Sequence, residues 1–337
     1  FVSLVKIKKY LIYLFLFLFF NCLFIGSLRS DPSHDGAVAT DDEHDFSYGI
    51  TFNDTGTKMY IVGFNLGSGG DRVVEYDLDP AYDISSKSVS HRLVQSGADA
   101  KNTVLGSVIR TRPHDIRFNN DGTRMYIPML EQIKTFSLDP SYDLESASLI
   151  NTLETSSLAE HTSTQLSVEF NSTGTKVFIE DGKHIDEYDL ATAFDLSSTL
   201  TYVDSLDFSF ADHVTSMAFS DDGTVLFLLT QQSSDGDDTN DANIYEYNLT
   251  TGFDLSTATY VEKFNVENEE YRPQGIAFNS DGDKLFITGT GNSDDEVNTY
   301  TLSPKYNLGN PTLTSSVPAD NATGVSVDAN IVLNFSE

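Results

Sequence analysis

The chain has 337 residues, with 51 Asp and Glu against 20 Lys and Arg, a formal net charge of −31, one cysteine and no tryptophan. Such a charge repels nucleic acid and anionic lipid, whose binding requires Lys and Arg to displace counterions, and it excludes DNA- and RNA-binding functions. The acids are dispersed and 39% of the residues are hydrophobic, which fits a folded protein rather than an acidic tail.

Residues 1–30 read as an export signal. Lys6, Lys8 and Lys9 precede an apolar run from Tyr10 to Phe20 that continues through Cys22 to Ile25, and polar sequence follows. A basic start before an apolar stretch of ~7–15 residues is the secretory pattern, and the run falls short of the ~20 residues of a membrane span, so a cleaved signal is favoured over the alternatives of an uncleaved anchor or lipidation at Cys22. With the signal removed the chain has no cysteine left, so its stability must come from its core rather than from disulfides. The expected location is secreted or cell-surface, with no membrane insertion of the mature domain. The opening "FVSLV" and the close in mid-pattern at "NIVLNFSE" predict that the chain is part of a larger polypeptide.

From about residue 45 the chain repeats itself. "FNDTGTKMYI" returns as "FNNDGTRMYI", "FNSTGTKVFI", "FSDDGTVLFL" and "FNSDGDKLFI". The shared glycines are Gly56, Gly122, Gly174, Gly223 and Gly282, at spacings of 66, 52, 49 and 59 residues. Asn, Asp and Gly between two apolar stretches are the chemistry of a tight β-hairpin, here joining strands a and b. A strand c follows each hairpin ("RVVEYDLD", "IKTFSLD", "HIDEYDL", "NIYEYNL", "EVNTYTL"), and then an aromatic-acidic turn ("AYDIS", "SYDLE", "AFDLS", "GFDLS", "KYNLG"). In the first four copies a strand d comes last. Tandem four-stranded units of about 50 residues predict the blades of a β-propeller, and no sustained 3.6-residue apolar period predicts helix.

The expected fold is therefore all-β: a β-propeller of about five four-stranded blades over residues 31–310. Strand a carries the clearest alternation. Ile50/Phe52, Ile116/Phe118, Val168/Phe170, Met217/Phe219 and Ile276/Phe278 each share a face, and the phenylalanines are expected to pack between neighbouring blades. The fifth unit lacks a strand d, while Gly36–Thr40 precedes the first strand a without a unit of its own. That segment is expected to complete the fifth blade as its outer strand and close the ring. The 66-residue first interval leaves room for a sixth blade, though it has no second glycine phrase.

The phrases "GITFNDTGTKMYIVG", "VVEYDLDPAYDIS" and "PQGIAFNSDGDKLFITG" resemble secreted bacterial propeller repeats of the NHL, YVTN and six-bladed TolB-like superfamilies. Those families span scaffolds, ligand-binding modules, lactonases and lyases, so the resemblance implies a fold and leaves function open. Residues 311–337, with "PADNATGVSVDANIVLNFSE", resemble the truncated start of an S-layer-type bacterial Ig-like domain, which implies a module of a large cell-surface protein.

Strand alternation puts the b–c loops and d–a connections on one face of the ring. The longest b–c loops ("GFNLGSGGDR", "QQSSDGDDTNDAN", "GTGNSDDE") are there, as are His91, His114, His161, His213, Arg112 and Arg272 in the d–a connections. That face is expected to be the functional one. Asp235, Asp237, Asp238 and Asp241 offer a dense set of oxygen ligands of the kind Ca²⁺ takes, without the EF-hand order; a solvated acidic loop is the reading favoured, and a Ca²⁺ site is the alternative. The reading favoured is a non-enzymatic module binding an extracellular glycan, peptide or surface protein. The alternative is a lactonase-like hydrolase or lyase with a metal at the central channel. The resemblance implies catalytic His and carboxylates at the channel mouth, which His114 and His213 could reach. No Gly-x-Ser-x-Gly, His-Glu-x-x-His or cysteine nucleophile supports that alternative.

Overall fold

The computed structural model describes residues 30–66, 70–95, 102–104, 112–158, 167–208, 213–231, 242–291, 295–309, 313–317 and 332–335. They form five blades, each with four antiparallel strands in the order a-b-c-d. Blade I is β2 (Phe46–Phe52), β3 (Lys58–Asn65), β4 (Gly70–Asp77) and β5 (Ser88–Val94). Blade II is β7 (Arg117–Phe118), β8 (Arg124–Met129), β9 (Gln132–Ser137) and β10 (Ser148–Glu154). Blade III is β11 (Ser167–Phe170), β12 (Lys176–Glu180), β13 (His184–Leu190) and β14 (Leu200–Asp207). Blade IV is β15 (His213–Phe219), β16 (Val225–Gln231), β17 (Asn243–Leu249) and β18 (Ala258–Asn265). The only helical segments among the described residues are 3-10 turns of three residues.

Blade V closes the ring as the sequence predicts. Its strands β19 (Pro273–Phe278), β20 (Lys284–Gly289) and β21 (Glu296–Ser303) are completed by the amino-terminal β1 (Ser30–Ala39), antiparallel to β21 with Val38 opposite Val297. The closing strand starts six residues earlier than the sequence suggested, and Thr40 continues its hold by donating to the Asp295 carbonyl through its N–H (2.6 Å) and its hydroxyl (3.0 Å). Within the long first interval the described residues hold an added fifth strand, β6 (Asn102–Val104), parallel to β5, and no further blade. Beyond the ring, β22 (Leu313–Val317) pairs with β23 (Val332–Phe335).

The core lies between blades rather than within them. Five apolar clusters are built respectively from blades I and II, II and III, III and IV, IV and V, and V and I. The strand-a phenylalanines sit there, each against a strand-b aromatic of the preceding blade: Phe118 on Tyr60 at 4.7 Å, Phe170 on Tyr126 at 4.5 Å, Phe52 on Phe286 at 4.6 Å. On the other side each meets the aromatic of its own c–d turn, as Phe170 meets Phe194 at 5.5 Å.

That third ring explains why the glycine phrase and the aromatic turn repeat together. Phe194 donates its backbone N–H to the Gly174 carbonyl (2.8 Å) and lays its ring over the glycine, where an added Cβ would fall inside the ring. Gly174 holds φ +68°, a left-handed conformation that costs glycine little. The same pairing joins Gly56 to Tyr82, Gly122 to Tyr142, Gly223 to Phe253 and Gly282 to Tyr306.

A second lock crosses between blades. Glu75, Glu187 and Glu246, in the "EY" step of strand c, are buried, and their carboxylates accept from the backbone N–H of Leu144 (3.1 Å), Leu255 (3.0 Å) and Leu308 (3.0 Å) in the next blade's c–d turn. Lys58 and Lys176 pair with Glu75 and Glu187 from the adjacent strand. Thr135 and Thr299, too short to span the gap, occupy this position in blades II and V.

Candidate functional site

Because strand a alternates, the residues between its apolar pairs face the ring axis. They form two layers. The layer nearer the d–a connections is Gly49, Asp115, Ser167, Ser216 and Gly275, and the layer nearer the a–b hairpins is Thr51, Arg117, Glu169, Ala218 and Ala277. The first is packed shut. A Cβ on Gly49 would meet Asp115, and one on Gly275 would meet the Tyr48 carbonyl and Gly49. Asp115 is fully buried and accepts from the Ser167 hydroxyl (2.6 Å) and the Ile116 N–H (2.8 Å).

Arg117 plugs the axis. Its guanidinium donates to Asp115 (2.6 Å) and to the carbonyls of Ile116 (2.8 Å), Met217 (2.9 Å), Ile50 (3.3 Å) and Ile276 (3.4 Å), and its Nε binds Glu169. One side chain thus ties strand a of all five blades together. Burial works against its charge, but Asp115 and Glu169 outweigh burial and hold the guanidinium protonated. Burial also pushes the carboxyls of Asp115 and Glu169 above the ordinary range, with Arg117 pulling each back in part. Arg117 is not among the site residues expected from the sequence. Its signal was there: "DIRF" is the only strand-a phrase with a base between the apolar pair.

On the d–a side the predicted residues scatter. His114 donates its backbone N–H to Pro128 (2.9 Å), and its ring lies 5.5 Å from that of Tyr48. Burial, then the nearby Arg112, lowers its pKa to about 4, so it is neutral at pH 7. His213 opens β15 exposed to solvent. His91 lies inside β5, buried opposite Glu75, rather than in a connection as its position suggested, because strand d runs to Val94. Arg112 and Arg272 are exposed at the rim. Glu180, at the end of β12, is fully buried; burial raises its carboxyl well above the usual range, and its Oε1 accepts from the Gly182 N–H. His161 and the calcium candidates Asp235, Asp237, Asp238 and Asp241 lie outside the described residues. Among the described residues no three His, Cys, Asp or Glu side chains converge as ligands of a metal ion.

Among the described residues, a cavity on the ring axis opens at the opposite face, at the a–b hairpins. It measures about 420 Å³ and exists because Thr51, Ala218 and Ala277 are small where Arg117 and Glu169 are large. Half-buried Phe52, Phe118, Phe219 and Phe278 form its walls. Tyr82, Tyr142 and Tyr306 rim it, with Tyr306 donating to Asp221 (2.8 Å) and Tyr82 accepting from the Ser280 N–H (3.1 Å). The strand-a phenylalanines therefore pack between blades, as predicted, and also present an edge to the cavity. The long b–c loops, on the face the sequence marks as functional, fall in large part outside the described residues.

No protein-family model matches the chain, and no curated protein matches it in sequence. Solved structures of similar shape include a putative 6-phosphogluconolactonase from Bacteroides uniformis ATCC 8492, at 12% identity and a TM-score of 0.43 over 77% of this chain and 68% of that one. The periplasmic gluconolactonase PpgL of Pseudomonas aeruginosa matches at 15% identity and 0.42 over 78% and 86%. A luciferin-regenerating enzyme matches at 11% and 0.45 over 83% and 98%. At such identities and scores the likeness carries no argument about activity, and the architecture rests on the five sheets themselves.

Proposed function

We propose that this chain is a non-catalytic propeller module of a larger secreted or surface-associated polypeptide, which binds an extracellular glycan, peptide or surface partner. What supports the reading is the axis. The ring axis is closed by Arg117, whose donors are taken up by carboxylates and carbonyls of every blade. A buried ion network of this kind fixes a scaffold and leaves no open coordination position. The amino-terminal signal pattern and the resemblance of residues 311–337 to the start of an Ig-like domain support export and attachment to a larger protein.

The test is hydrolysis of glucono-δ-lactone by the purified chain, followed with a pH indicator, alone and with millimolar Ca²⁺, Mg²⁺ or Zn²⁺. No rate above buffer is expected under any of the four conditions. Metal-dependent turnover that disappears in His114→Ala would overturn the binding-module reading and favour the lactonase-like alternative.

A further inference from the structure

We propose that the cavity at the a–b hairpin face is a binding site for an organic ammonium ion, either a free polyamine or the ammonium of a lysine side chain on a partner. The inference rests on the binding-module reading and names the chemistry of its ligand.

The first observation is the balance of donors and acceptors. The amide groups that ring the cavity are turned to the framework: Asn53 donates to Thr55 (3.0 Å) and Thr57 (3.1 Å), and Asn119, Asn279 and Asn120 each commit one N–H, to Thr123 (3.2 Å), Asp283 (2.7 Å) and the Ser172 carbonyl (2.5 Å). Arg117 is likewise committed around the axis. Tyr306 donates to Asp221 and Tyr142 to the Asn120 carbonyl. The groups left for a guest are mainly carboxylate oxygens: Glu169, whose side chain is 20% exposed, and the exposed Asp54 and Asp221 at the rim. A site rich in acceptors and poor in donors suits a ligand that brings its own N–H groups.

The second observation is charge. Arg117 is the only base among the described lining residues, and Asp115 on its d–a side and Glu169 beside it offset its charge. An anion such as a phosphate or an aldonate therefore meets uncompensated carboxylates and no free cation. The third is the wall. Four phenylalanine rings supply the apolar and π surface that an ammonium with a methylene chain prefers. The volume of about 420 Å³ lies in the range of small-ligand sites.

Isothermal titration of the full chain with spermidine and, separately, with Nα-acetyl-lysine methylamide tests the assignment, with methyl β-glucoside and gluconate as neutral and anionic controls. One-to-one binding of an ammonium probe is expected, falling at least tenfold in Ala277→Leu, which fills the cavity without touching a charge. Tighter binding of spermidine identifies a free polyamine as the natural source, and tighter binding of the lysine derivative identifies a protein side chain. A melting temperature within ~2 °C of the parent shows that Ala277→Leu is folded; if it is not, Ala218→Val serves the same purpose with less added volume. Three results would overturn the proposal: no ammonium binding at millimolar concentration, spermidine binding unchanged by the filled cavity, or glucoside or gluconate binding more tightly than either amine. An unchanged affinity would assign the amine to the acidic surface as a counterion. None of these outcomes produces lactone turnover, so failure here is distinct from failure of the binding-module reading.

Discussion

Replacing Arg117 with methionine removes the one side chain that touches strand a of every blade while roughly preserving its apolar stem. Asp115, fully buried, and Glu169 lose their shared cation, and the carbonyls of Ile50, Met217 and Ile276 lose a donor. Removing one partner of a buried ion pair costs about 3–5 kcal/mol, because the other charge stays desolvated. At roughly 2–4 °C per kcal/mol for a domain of this size class, the melting temperature should fall by about 10 °C. The loss has a pH signature. Burial already holds both carboxyls above their ordinary range, and without the guanidinium they rise further. A carboxyl with a folded pKa above its unfolded pKa takes up a proton on folding. Its contribution is fully present below the unfolded value near 4 and is lost as pH rises through the folded value. The deficit of Arg117→Met relative to the parent should therefore be smaller at pH 5 than at pH 8. Thermal unfolding followed by far-ultraviolet circular dichroism at both pH values measures it. A variant that melts within 2 °C of the parent at pH 8, or a deficit as large at pH 5, would refute the role assigned to the axis.

The glutamate lock predicts that Glu187→Ala costs about 1.5–3 kcal/mol, the value of a hydrogen bond to a charged acceptor, and speeds hydrogen exchange at the Leu255 amide. Unchanged protection of that amide would remove the lock. Gly174→Ala should cost about 1–3 kcal/mol, since φ is +68° and the new Cβ enters the Phe194 ring. Adding Phe194→Ala should recover the steric part of that loss, and no recovery would reject the ring-over-glycine account. The calcium alternative at Asp235, Asp237, Asp238 and Asp241 predicts ~2.7 kcal/mol of added stability at a hundredfold excess over the dissociation constant. Identical melting curves in EGTA and in millimolar Ca²⁺ would leave these aspartates as a solvated loop.

The architecture was legible because its signals are local. Turn chemistry at Gly56 and its four counterparts, the two-residue alternation of Ile50/Phe52 and its copies, and the missing strand d in the fifth unit together predict five blades and the closing strand. Only the apolar half of that alternation was read. The residues between, from Thr51 to Ala277, converge only because five strands separated by some fifty residues meet on an axis, and that convergence is a tertiary fact. The recurrent "EY" of strand c was likewise visible in the sequence, but the amide that Glu187 serves belongs to the next blade. The cavity was the least legible feature. It depends on Ala218 and Ala277 being small at positions where Arg117 and Glu169 are large, and small residues carry no pattern of their own.

The most direct test of the account is an experimental electron-density map of the ring axis in the purified chain. The expected map shows the Arg117 guanidinium on the axis, bound to Glu169 and Asp115 and to the carbonyls of Ile50, Met217 and Ile276, with Asp115 on its d–a side and the cavity on its a–b hairpin side. An open channel holding a metal ion bound by His114 or by other side chains on the d–a face, with Arg117 turned away, would contradict it.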